Sequence, residues 1–228
     1  MHRPALTGLA TEGRLPEAAR LDEMSTAEQV KLMGDQDRVA VDAVAAVRPQ
    51  LAAAFDAAVE LMRRGGRLIE VGAGTPGRLA VLDAAECGPT FDIKNDQVVA
   101  VMAGGSSAIR EAAEHGEDDR AAGTADLSAL DVQADDVVVG VSASGRTPYV
   151  LGAMDAAHRA GALTVAVVNN AGSPIAAAAD IAIEALTGPE VISGSTRLKA
   201  GTAAKLIRNT ISSLVMPAST IFTACSTI

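Results

Sequence analysis

Apolar and polar positions alternate between two regimes along this chain. Arg67–Val71, Gln97–Met102, Val137–Val141, Leu163–Val168 and Ile181–Ile183 are short runs rich in Val and Ile, of strand length and bounded by Gly, Asn or Asp. Between them, Arg78–Ala85, Ser107–His115, part of Asp118–Asp135, Pro148–Ala160 and Ile175–Ala179 carry helical spacing. Before the first strand, Val39, Ala43, Val47, Leu51, Phe55, Ala58 and Met62 recur at helical intervals, so Asp37–Arg64 reads as one long helix or two with a break at Pro49. Gly65-Gly66 ends it. Ser25-Thr-Ala-Glu28 fits a capping box and predicts a short helix ending near Gly34. A last helix is expected over Leu198–Val215, limited by Pro217, and residues 1–20 read as an arm. A repeated strand-loop-helix order argues an α/β fold, an open parallel sheet of about five strands flanked by helices. The expected division is an N-terminal arm with helices over 1–64, which pack on the core or on a partner, a core over 65–216, and a tail over 217–228.

Composition sharpens this. The 228 residues are 49% hydrophobic with no Trp, one Tyr and three Phe, so the core must be built from Val, Ile, Leu, Ala and Met. That suits strands buried on both faces. The formal net charge of −9 argues against nucleic-acid or anionic-membrane partners, and an anionic ligand must rely on local donors. Cys87 and Cys225 supply neither a disulfide framework nor a metal-ligand spacing. No uninterrupted apolar stretch of about 18 residues and no apolar leader is present, so a cytoplasmic location is the expectation.

Two loops carry candidate chemistry. Val137–Val141 runs into Ser142-Ala-Ser-Gly-Arg-Thr147 and then a helix N-terminus, where backbone N–H groups, hydroxyls and the helix dipole suit an anion. It lacks the Gly-Lys-Ser/Thr of a Walker A loop and resembles the phosphosugar-binding loop of the sugar isomerase (SIS) fold. An ordinary strand-to-helix turn is the other reading. Gly72-Ala-Gly-Thr-Pro-Gly77 matches G-x-G-x-x-G, but the second strand ends in Val-Met-Ala-Gly-Gly105 without the acid a dinucleotide ribose requires.

Gly72-Ala-Gly-Thr-Pro-Gly-Arg-Leu79, Leu82-Asp-Ala-Ala-Glu-Cys87, Pro89-Thr90, Glu114-His-Gly-Glu-Asp118, Ser142–Tyr149 and Gly194-Ser-Thr-Arg-Leu-Lys-Ala-Gly-Thr202 occur in that order. Together they resemble the N-acetylmuramic acid 6-phosphate etherases, a SIS-fold family, over roughly residues 11–215. The resemblance implies cleavage of the C3 lactyl ether by elimination and water addition, giving N-acetylglucosamine 6-phosphate and D-lactate without metal or redox cofactor. It implies Glu86 as acid/base at the leaving oxygen and water and Glu117 as base at C2, roles that are interchangeable on present grounds. Substrate-binding positions implied are Gly74, Thr75, Ser142, Ser144, Gly145 and Thr147, with Ser195, Thr196, Arg197 and Lys199 from a late loop that closes over the ligand, either of the same subunit or of the second. A homodimer is implied as well. A non-catalytic SIS-type sugar-phosphate-binding regulator is the alternative from another class.

The chain departs from the family at named positions. Pro76 replaces the usual Ser, Gly88 the usual Pro, and Met33-Gly-Asp-Gln-Asp37 stands for an Ile-Asn-x-Glu-Asp pattern. Family members continue into a small C-terminal helical domain, which Phe222–Ile228 does not match.

Overall fold

The computed structural model describes residues 8–94, 96–111 and 116–219. Helices α1 (Thr26–Ala46) and α2 (Arg48–Arg63) precede strand β1 (Leu68–Gly72), helix α3 (Gly74–Phe91) and strand β2 (Val98–Met102). Helix α4 (Arg120–Ser128), strand β3 (Val137–Ser142), helix α5 (Pro148–Arg159) and strand β4 (Leu163–Val168) follow. A short helix α6 (Pro174–Ala177), strand β5 (Ile181–Glu184) and a long helix α7 (Lys199–Ser219) complete the order. The five strands form one sheet in the order β2-β1-β3-β4-β5, with every pairing parallel.

Alternation along the strands divides the core. Leu68, Val137, Val139 and Val141 face the layer of α1, α2 and α7, where Ala40, Val47, Leu51, Ala58, Met62, Ile207 and Ile211 are buried. Ile69, Val71 and Val138 face the opposite layer, with Tyr149, Val150 and Met154 of α5 and Leu127 of α4. The strand runs are apolar on both faces because helices cover both. The helical stripe over Val39–Met62 therefore packs on its own sheet and on α7.

Several expected boundaries move. The Ser25–Glu28 capping box is present, but α1 runs past Gly34 to Ala46, since that exposed glycine leaves the helix ladder intact. The break falls at Val47, and Pro49 sits in the first turn of α2, where its missing N–H has no intrahelical acceptor to serve. The same rule lets α3 begin at Gly74 with Pro76 in its first turn, so most of the glycine-rich stretch is helix rather than loop. Pro89 and Pro217 lie inside the last turns of α3 and α7, where packing of Cys87 and of Val215 and Met216 holds the turn. The helix expected from Ser107 is a 3-10 turn, Gly105–Ile109, and the Ala112–His115 part of it lies outside the described residues. Of the expected tail, 220–228 also lies outside them. No helix among the described residues is long and apolar enough to cross a membrane.

The N-terminal ends of β1 and β3 are tied by Asp136. Its carboxylate accepts from the Arg67 backbone N–H (2.8 Å), the Arg67 guanidinium (2.6 Å) and the Gln133 N–H (2.9 Å). Burial works against the charge, but these donors outweigh it and hold the carboxyl below its ordinary value. A depressed folded-state value means stability that is present above the unfolded carboxylate range and lost as pH falls through the folded one. Asp136→Asn is expected to cost about 2–3 kcal/mol in urea denaturation at pH 7. Its deficit relative to the parent should shrink as the pH is lowered below about 4.

Candidate active site

β1 and β3 are neighbours, yet the chain leaves β1 toward β2 on one side and β3 toward β4 on the other. This is the switch point of the sheet, where a crevice opens at the carboxyl ends of the strands. A cavity of about 320 Å³ lies there. Its walls are Ala73–Pro76 at the start of α3, Ser142–Ser144 and Arg146–Pro148 before and into α5, Glu117 and Asp118, Gly194 and Thr196, and Glu12.

The loop after β3 is built to concentrate donors. The Ser142 hydroxyl is 2.7 Å from that of Thr147 and 3.3 Å from that of Ser144, and accepts from the Gly145 N–H at 3.1 Å. Thr147 is the N-cap of α5 but does not cap it; its hydroxyl is committed to Ser142 instead. Ala73, the N-cap of α3, has no hydroxyl to offer. Two uncapped helix N-termini thus flank one cavity, and their orphan N–H groups and dipoles favour negative charge. Gly145 lies beneath the loop rather than on the cavity wall. Its φ of +66° is left-handed, and a Cβ there would lie 2.1 Å from the Ser173 Oγ.

Glu117 reaches the cavity through a contact between helix backbones. A Cβ on Gly123 of α4 would stand 1.9 Å from the Tyr149 carbonyl, and one on Gly152 of α5 1.9 Å from the Arg120 carbonyl. Only glycine permits this approach. The Thr124 hydroxyl donates to the Gly152 carbonyl (2.9 Å) and the Tyr149 hydroxyl to Asp126 (2.6 Å), locking α4 across α5. The turn just before α4, Gly116–Asp118, is thereby set over the N-terminus of α5.

The other candidates divide. Gly74, Thr75, Ser142, Ser144, Thr147, Thr196 and Glu117 line the cavity. Ser195 and the exposed Arg197 flank Thr196 without lining it. Lys199 is buried with its ammonium on the Gln36 side-chain carbonyl of α1. Burial pushes its pKa down, against the pull of Glu190. The Glu190 carboxylate accepts from the Lys199 and Ala200 N–H groups, at 3.3 and 2.9 Å, and so caps α7. Glu86 is exposed on α3 and lines a separate groove with Asp83, Lys205 and Asn209. Glu12, Asp118 and Arg146 line the main cavity without having been singled out by sequence. Asp118 and Arg146 stood inside quoted motifs, whereas nothing in the sequence marked Glu12.

Fold and cavity define a SIS-type α/β domain with an anion-accepting site. The profile of the glucokinase regulatory protein N-terminal SIS domain matches residues 50–158. The phosphoheptose isomerase of Neisseria gonorrhoeae shares the fold with a TM-score of 0.60 at 20% identity, covering 84% of this chain and 98% of that one. The phosphoheptose isomerase of Francisella tularensis does so at 0.59 and 16%, with 84% and 98% covered. N-acetylmuramic acid 6-phosphate etherases are much nearer in sequence. That of Streptomyces avermitilis is 52% identical over 92% of this chain and 68% of its own length. That of Rubrobacter xylanophilus is 53% identical over 91% and 69%. The chain belongs to the N-acetylmuramic acid 6-phosphate etherase family.

Gly145→Ala should strain the loop and drive a methyl group into Ser173. The expected loss is about 1–3 kcal/mol in chemical denaturation, with weaker phosphate binding by calorimetry. A variant as stable and as phosphate-competent as the parent would show that the loop conformation is not set at this residue.

Proposed function

We propose that the protein cleaves the lactyl ether at C3 of N-acetylmuramic acid 6-phosphate, releasing D-lactate and N-acetylglucosamine 6-phosphate. The observation that carries this is one cavity in which Glu117 faces the hydroxyl-rich loop, in a chain half identical to etherases over nine-tenths of its length. The phosphate sits on Ser142, Ser144 and Thr147, with Gly145 shaping the loop, and Gly74 and Thr75 contribute from the start of α3. The sugar opens, and its C1 aldehyde acidifies the C2 proton. Glu117 removes that proton and the C3–O bond breaks as the lactate oxygen takes a proton, leaving a C2–C3 double bond conjugated to the aldehyde; water then adds its oxygen at C3 while a proton returns to C2. Elimination and hydration cause no net change of oxidation state, so no redox group is called for.

The acid at the leaving oxygen is Glu86, supplied by another subunit. It lies eleven residues beyond Thr75 on α3, roughly 16 Å along the helix axis and outside the cavity its own chain forms. A homodimer that places Glu86 of the partner subunit over this cavity completes the pair of carboxyl groups. Ser195 and Arg197 belong to the segment that closes with Thr196 over the ligand, and Lys199, held on Gln36 at the start of α7, anchors the end of that segment rather than touching the sugar. A phosphorylated sugar crosses a bilayer poorly, so enzyme and substrate share one compartment, which on this reading is the cytoplasm. A non-catalytic sugar-phosphate-binding regulator is the second reading, favoured by the match to a regulatory SIS domain and by Pro76, which carries no hydroxyl and no N–H.

D-lactate release from N-acetylmuramic acid 6-phosphate is the measurement. Glu117→Gln and Glu86→Gln are each expected to lower kcat by about 10²–10⁴ while product binding by calorimetry persists. Refolding the two inactive variants together should restore up to about a quarter of the parent rate, because half the dimers are mixed and each has one intact site. No recovery would place Glu86 elsewhere. Saturable binding with no release by the parent would move the assignment to the regulator.

A further inference from the structure

Besides Glu117, the cavity holds two carboxylates that none of the steps above employs, Asp118 next to it in sequence and Glu12 far from it. Glu12 closes the 3-10 turn Ala10–Glu12 and lines the cavity together with Thr75, Glu117 and Thr196. Its Oε2 lies against Gly194, where an added Cβ would stand 3.2 Å away. Among the described residues, no donor bonds this carboxylate and no cation pairs with it.

The turn that carries it is nevertheless held firmly. The Asn170 Oδ1 accepts from the Ala10 N–H at 2.8 Å and the Thr11 N–H at 3.4 Å. Asn170 Nδ2 donates to the Thr11 hydroxyl at 2.9 Å and to the Ala143 carbonyl at 2.8 Å. On the other side the Ser193 hydroxyl donates to the Gly13 carbonyl at 3.1 Å. Leu9 and Thr11 are buried. One amide side chain therefore fastens the Glu12 turn directly to the Ser142–Thr147 loop.

Fixing a chain segment costs conformational entropy, and a carboxylate on the cavity wall that bonds no donor of the protein leaves its acceptors open to a ligand. A ligand that brings hydrogen-bond donors satisfies them. The phosphate and the lactyl carboxylate are anionic and would be repelled. The donors of the sugar are its hydroxyls and its acetamido N–H, all neutral.

We infer that Glu12 is a substrate-binding residue that accepts hydrogen bonds from the neutral donors of the amino sugar. With the phosphate fixed on the Ser142–Thr147 loop, this second point of attachment sets the rotation of the carbon chain and so presents C2 to Glu117. A site equipped with a carboxylate acceptor discriminates strongly against analogues that lack the donor. This inference rests on the etherase reading of the site.

Glu12→Ala and the near-isosteric Glu12→Gln test it, each checked for an unchanged melting temperature. Three quantities are read: KM and kcat for D-lactate release, the Kd of N-acetylglucosamine 6-phosphate, and the Kd of inorganic phosphate. Glu12→Ala should raise KM and the sugar-phosphate Kd by about 10- to 100-fold, with the phosphate Kd unmoved and the Gln variant intermediate. Unchanged KM and sugar-phosphate Kd would overturn the inference. So would equal weakening of phosphate and sugar phosphate, because the residue would then act through the loop. A parent that releases no D-lactate, with Glu12→Ala still selectively weakening the sugar phosphate, would retire the etherase reading and leave this assignment standing.

Discussion

Arg208 of α7 reaches into the sheet and meets Glu70 in the middle of β1, with both side chains at 1% exposure. Its Nε donates to one carboxylate oxygen at 3.0 Å, one terminal nitrogen contacts the other oxygen, and the second reaches the Pro76 carbonyl at 3.4 Å. Burial pushes the Glu70 carboxyl up, the guanidinium pulls it down, and burial wins, leaving it raised to about 7. Leaving either charge without the other would cost about 3–5 kcal/mol. The pair joins three elements that the cavity requires in register: the strand beneath it, the first turn of α3 that forms one wall, and the helix that follows the Gly194–Thr196 segment. Hydrophobic burial holds the layers together without direction. This ion pair supplies a direction, and with it the setting of the wall.

The cavity meets an anion with dipoles and hydroxyls more than with full charges. In a chain of net charge −9, the overall field opposes an anion at long range. Helix N-termini and hydroxyls act within one turn, so anion-accepting donors and acidic side chains can share one cavity. Among the described residues that line the cavity, Arg146 is the cation, and Glu12, Glu117 and Asp118 are the acids. Such a site can bind a phosphate at one end and keep the other end acidic, which an array of lysines would not allow.

Strands were the most legible elements. Val137–Val141 and Leu163–Val168 appear almost as read, because a strand buried on both faces leaves a continuous apolar run. Helix ends were less legible wherever proline fell in a first or last turn, as at Pro49, Pro76, Pro89 and Pro217. There local chemistry permits helix and tertiary packing decides its length. The hydroxyl-rich loop on the cavity wall could be seen in its Ser142–Thr147 pattern. Glu117 could be seen only through family resemblance, since its placement depends on two glycines on separate helices, Gly123 and Gly152, touching backbone to backbone. Glu12 escaped altogether, because its position is dictated by Asn170, with no periodicity linking the two.

That last contact has a consequence for synthesis. Asn170 lies 159 residues after Thr11, so the turn bearing Glu12 leaves the ribosome roughly 8–32 s before the side chain that anchors it. Until then one wall of the cavity is missing, although β1, β3 and the loop between Ser142 and Thr147 are already made. The nascent protein therefore acquires β1 to β4 first and its complete ligand cavity only after Asn170 and the Gly194–Thr196 segment have been made.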